Sequence, residues 1–134
     1  MQLKPHGDVK LNWHSNLLMV KVSGPFNMEG ANSSFKKIQV SVRANKPEIW
    51  ARIDILDQET LGSPEVMQVF GATYKWCFEH GCSSVGFVCT TFLQAEMLEK
   101  ARITTGMNLA GFSTLSDAET WCVEQISEKA ENRK

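Results

Sequence analysis

Stretches with apolar residues at helical spacing alternate with short β-branched or aromatic runs through most of this chain. That rhythm restricts the fold to an α/β sandwich on a mostly parallel sheet, because a strand can return parallel to its neighbour only through a crossover, usually a helix. Val9, Leu11 and Trp13 alternate with Lys10, Asn12 and His14, as in a half-buried strand at a sheet edge. Ser15-Asn16 makes a tight turn, and Leu17 to Ser23 is a second strand that Gly24-Pro25 ends. Asn27 caps a helix whose stripe is Ala31, Phe35, Ile38 and Val42, and Asn45 to Pro47 stops it. Ile49, Ala51, Ile53 and Ile55 then alternate with Trp50, Arg52 and Asp54 in a third strand.

The second half repeats the pattern. Ser63-Pro64-Glu65 reads as a helix start, with Val66, Val69, Phe70, Thr73, Tyr74 and Cys77 facing inward and Gly81 as the stop. Val85 to Cys89 reads as a strand covered on both faces, and Gly86 implies close approach of a neighbour. Thr91 with Gln94 forms a capping box ahead of a stripe of Phe92, Ala95, Leu98 and Ala101. Leu109 to Phe112 is a fifth strand. Ser116 with Glu119 forms a second capping box, with Ala118, Trp121, Cys122 and Ile126 facing inward, and the charged tail 128–134 is expected to fray. The order is β-β-α-β-α-β-α-β-α. It predicts a single domain over residues 1–134, with a five-stranded, mostly parallel sheet, an antiparallel N-terminal edge strand and helices on both faces.

Composition narrows the function classes. Net charge is -1, with 14 basic and 15 acidic residues interspersed. A nucleic-acid binder would carry a basic face, and Lys36, Lys37 and Arg43 are too few to make one. No early apolar run resembles a signal peptide, and no window approaches a membrane span, so a cytoplasmic location is expected. The 4 cysteines, Cys77, Cys82, Cys89 and Cys122, lack metal-site spacing and read as reduced core residues. No cofactor or metal is expected.

Ile53 to Asp57 (Ile-Asp-Ile-Leu-Asp) ahead of a loop and helix, with Phe112, Ser116 to Glu119 and Trp121 near the end, resembles the STAS-like, or SpoIIAA-like, domains. The resemblance runs from about Val9 to Ile126 and rests on element order more than on a diagnostic motif. It implies a regulatory module that binds other proteins, related to lipid-exchange (CRAL-TRIO) domains. Regulators of this type carry an Asp-Ser-Ser-Gly motif, phosphorylated on serine, at the helix after the third strand. Ser63 falls at the serine position and is the candidate phosphosite, but Gly62 stands in place of Asp, Pro64 follows, and Glu65 replaces Gly. Capping alone accounts for Ser63.

In such a sheet, ligands collect beyond the carboxyl ends of the strands. That rim would hold Phe26, Asp54, Asp57, Glu59, Ser63, Cys89, Thr90, Thr91, Phe92 and Phe112. Cys89 is the candidate nucleophile, since a following helix N-terminus would lower its thiol pKa, but Ala95 stands where a phosphatase-type site places its Arg. His6, His14 and His80 are scattered. Trp76, beside Lys75 and Phe78, is a candidate interface for a dimer.

Three functions follow in order. The first is a non-enzymatic interaction module for a protein partner or a second copy. The second is a carrier or sensor of a small apolar ligand or lipid, held between the helices after the second and third strands in a pocket of Phe26, Phe35, Phe70, Tyr74 and Phe92. The third is an enzyme using Cys89 or the Asp54 and Asp57 carboxylates.

Overall fold

The computed structural model describes residues 4–60 and 63–133. Its elements are β1 (Asp8–His14), β2 (Leu17–Ser23), α1 (Met28–Asn45), β3 (Trp50–Leu56), α2 (Pro64–Glu79), β4 (Cys82–Val88), α3 (Phe92–Thr105), β5 (Leu109–Phe112) and α4 (Leu115–Asn132). The five strands form one sheet in chain order, β1-β2-β3-β4-β5. β1 runs antiparallel to β2, with Asp8 opposite Ser23, and every later pairing is parallel. None of the described helices is long and apolar enough to cross a membrane.

The unreversed strand order decides where the helices go. Right-handed crossovers that always step the same way along a sheet put every crossover helix on one face. α1, α2 and α3 therefore share a face, and among the described residues α4 alone covers the other. β3 splits accordingly. Ala51 and Ile53 pack towards Ala118 and Cys122 of α4, while Trp50 lies in the cluster beneath α1 and α2. Trp50 is fully buried because both faces of β3 are covered. Its indole N–H donates to the His80 carbonyl at 2.8 Å, so the large ring is buried with no polar cost.

α4 presses hard on the sheet. A Cβ at Gly86 would come within 3.3 Å of Cys122 Sγ and 3.6 Å of Ala118 Cβ, so only a glycine on β4 permits this spacing without displacement. The loops after β2 and β3 also touch backbone to backbone, since a side chain at Gly24 would collide with the Glu59 carbonyl.

Two boundaries differ from the sequence reading. β4 begins at Cys82 rather than Val85, and Val88 ends it, leaving Cys89 just beyond. The cap of α4 is Thr114, whose hydroxyl accepts from Asp117 N at 3.2 Å, not Ser116. Both hydroxyls sit two residues apart ahead of an apolar run, and spacing alone does not separate them. Charged residues continue the α4 helix to Asn132.

Candidate functional site

The carboxyl-edge rim is built largely from side chains that hold the loops shut. Asp57, at the end of β3, accepts from Gly24 N at 3.1 Å, Glu59 N at 3.1 Å and Thr60 Oγ1 at 2.6 Å. Its own N–H donates to the Val22 carbonyl at 3.2 Å, joining the ends of β2 and β3. Ser63 Oγ accepts from Val66 N at 3.3 Å, and Thr91 Oγ1 accepts from Gln94 N at 3.1 Å, so both hydroxyls act as helix caps. Ser63 is exposed, while Gly62 lies outside the described residues. Phe26 is buried, edge-on to Phe70 with ring centroids 5.0 Å apart.

Gln94 is the residue that sequence reasoning undervalued. It is buried, and its amide bridges two segments. Oε1 accepts from Thr90 N at 2.9 Å, and Nε2 donates to the Asp57 carbonyl at 2.6 Å. The expected capping box is thus half realised, with the return bond one residue earlier than the pattern requires. This tether rotates α3. Phe92 and Ala95, expected on the inner stripe, are exposed, Phe92 by 79%, and Leu93 beside it by 53%. Leu98 and Ala101 face inward as expected, with Gln94 and Met97 in place of the other two. Among the described residues, α3 packs closely against β5 alone.

Cys89 sits between β4 and α3, half buried. Burial raises its thiol pKa above the ordinary value. The helix N-terminus was expected to lower it, but Thr91 Oγ1 takes the Gln94 amide of the first turn of α3, and burial prevails. Burial likewise raises the Cys77, Cys82 and Cys122 thiols. The described residues contain no cluster of metal-ligating side chains.

Asp54 is not on the open rim. It is fully buried on β3, beneath α2, together with Arg52 on the same face of the strand. Arg52 Nε donates to Asp54 Oδ1 at 2.6 Å and Nη2 to Oδ2 at 3.0 Å, a bidentate fork. Tyr74 of α2 donates its hydroxyl to Asp54 Oδ2 at 2.9 Å, and its ring centroid lies 4.7 Å from the Arg52 guanidinium carbon. Burial opposes the Arg52 charge, but Asp54, Cys77 and Tyr74 together hold the guanidinium above its ordinary pKa. Burial first, and Asp54 second, raise the Tyr74 hydroxyl. No buried side-chain polar atom lacks a partner among the described residues.

Above this network lies a chamber of about 270 Å³, roofed by α2 and walled by α1 and α3. Its lining is mainly apolar, with Phe35, Phe70, Met67, Met97 and Leu98 among its walls and Tyr74 and Gln94 as polar edges. The location differs from expectation. α1 and α2 pack together, while the slack lies on the α3 side. Phe35, Phe70 and Tyr74 line the chamber as expected, but Phe26 and Phe92 do not.

Trp76 does not form an open patch. It lies in the α1–α2 seam, stacked on His80 with centroids 4.0 Å apart, 6.4 Å from Phe35, and under the Arg43 guanidinium at 5.6 Å.

Two outcomes test this geometry. Arg52→Met strands the Asp54 carboxylate and should lower unfolding stability by about 3–5 kcal/mol, whereas Arg52→Met with Asp54→Leu should recover most of the loss in urea denaturation. Cys89 should react with iodoacetamide more slowly at pH 7 than an unstructured thiol. Because burial raises its pKa, the rate should go on climbing with pH beyond the point at which an unstructured thiol's rate levels off.

No family model matches the chain, and no curated protein matches it. Solved structures do. An anti-sigma factor antagonist from Mycobacterium paratuberculosis superposes with a TM-score of 0.60 at 23% identity, over 87% of this chain and 93% of that one. An uncharacterized protein of the DUF3478 family from Shewanella loihica PV-4, with a SpoIIAA-like fold, gives 0.65 at 14% identity, over 91% of this chain and 98% of that one. The α/β order, the antiparallel first strand and these superpositions together establish a SpoIIAA-like, STAS-like fold.

Proposed function

We propose that this chain is a non-enzymatic STAS-like interaction module that takes a protein partner on the rim at the start of α3. The observation that carries the reading is a contrast within that rim. Its polar groups are committed to structure: Asp57 to three donors, Ser63 and Thr91 to caps. Beside them Phe92 and Leu93 are adjacent, apolar and exposed. Large exposed apolar groups of this kind mark contact surfaces, and an aromatic anchor is the usual centre of one. The Mycobacterium paratuberculosis neighbour is by its name an antagonist of an anti-sigma factor, which supports a protein target.

This reading places the partner surface at Phe92 rather than at Trp76, whose faces Arg43 and His80 already occupy. Ser63 keeps its structural role as the α2 cap, and a phosphate there would be a modification of an exposed helix start. A raised thiol at Cys89 argues against nucleophilic chemistry. A second reading, a carrier or sensor of a small apolar ligand, is favoured by the separate observation of the chamber beneath α2.

The test is a Phe92→Ser, Leu93→Ser double variant. Both side chains are exposed, so unfolding stability should stay within about 0.5 kcal/mol of the parent. Affinity capture from cells of the source organism, with sedimentation to score self-association, should lose a specific partner that the parent retains. Capture of the same partner in the same amount by the folded variant would refute the assignment of this surface.

A further inference from the structure

We infer that the chamber binds one small uncharged apolar molecule of about eleven heavy atoms, and that Gly71 keeps its space open. The inference rests on the apolar-ligand reading above and adds the size and charge of the ligand and the residue that admits it.

Size follows from volume. A dry protein cavity of about 150 Å³ holds a benzene, or roughly 25 Å³ per heavy atom. On that scale the 270 Å³ chamber holds about eleven. Charge follows from the floor. Arg52 spends Nε and Nη2 on Asp54, and its Nη1 lies 3.7 Å from Cys77 Sγ. Tyr74 spends its hydroxyl on Asp54. The pair is neutral and self-satisfied, so no cation remains on the floor to meet a carboxylate or phosphate, and burying an unpaired charge there is strongly unfavourable. The walls suit a ligand of loose shape. Met67, Met97 and Met107 line them, and unbranched thioether chains repack around varied apolar surfaces.

Gly71 is the independent observation. It lies in the interior of α2, where glycine is less favourable than alanine, and lines the chamber. Its φ is not positive, and a Cβ built there would meet nothing within 4 Å. Neither backbone conformation nor a close neighbour therefore requires glycine at this position. A larger side chain would project into the chamber and take up the ligand's volume.

The experiment titrates decan-1-ol, which has a neutral head and the matching size, and decanoate into the parent protein and Gly71→Leu. Binding is read by calorimetry and located by amide NMR shifts. Gly71→Ala serves as a fold control and should raise the urea midpoint. The expected result is decan-1-ol binding with shifts on α2 and α3, decanoate weaker by at least about tenfold, and decan-1-ol weakened by at least about tenfold in Gly71→Leu while that variant unfolds no earlier than the parent. Equal binding of decanoate overturns the charge assignment, and equal binding to folded Gly71→Leu overturns the role of Gly71; either leaves the carrier reading standing. No binding of either probe to the parent overturns both.

Discussion

The buried pair of Arg52 and Asp54 is the constraint around which the rest of the molecule is arranged. Two full charges lie on one face of the central strand with almost no access to water. Such a pair contributes little net stability, because desolvation offsets most of the attraction, but separating its members is very costly. It therefore acts on specificity. A slip of β3 by one residue would turn both charges onto the α4 face, against Ala118 and Cys122, where no partner waits. Tyr74 and Cys77 of α2 meet the pair from above, so the same interaction that fixes the register of β3 also sets the rotation of α2.

The two faces of the sheet differ as a result. The α4 face is close-packed, with Gly86 allowing Cys122 and Ala118 to approach the strand directly. The opposite face carries three crossover helices over bulky strand residues and a polar network, and it closes less completely. α1 and α2 pack on each other, but α3 reaches β5 and is anchored at its first turn chiefly by Gln94. The chamber and the exposed Phe92 and Leu93 are two consequences of that one arrangement. A ligand held against Met97 and Leu98 would brace the inner side of the helix that presents Phe92 outside. The proposed ligand site and the proposed partner surface thus share α3.

The element order, the antiparallel first pair and the caps at Asn27, Ser63 and Thr91 were legible because each rests on local chemistry: two-residue alternation, helical spacing, and hydroxyl or amide oxygens ahead of amides. The orientation of α3 was not. Its apolar residues fit more than one stripe, and the choice is made by Gln94 through the carbonyl of Asp57, 37 residues away in sequence. Asp54 read as a rim carboxylate for a similar reason. Strand alternation put it opposite the apolar residues, but that side is also covered, and Arg52 two residues earlier is its partner. The signal was present in the Arg-x-Asp spacing, since residues two apart on a strand share a face. For Cys89 the reading of the four cysteines as core residues fits the burial of its thiol, while the opposing pull of the dipole is a local feature of sequence that burial in the packed rim overrides.

One face of the sheet is close-packed, while the other holds a chamber with α3 as its least secured wall. Amide hydrogen exchange measured helix by helix tests it directly. The α3 amides between Ala95 and Arg102 are expected to open at lower free energy than the middle turns of α1, α2 and α4, as a separate unit and without global unfolding. Protection of α3 equal to that of α4, with both lost only in the global transition, would contradict it.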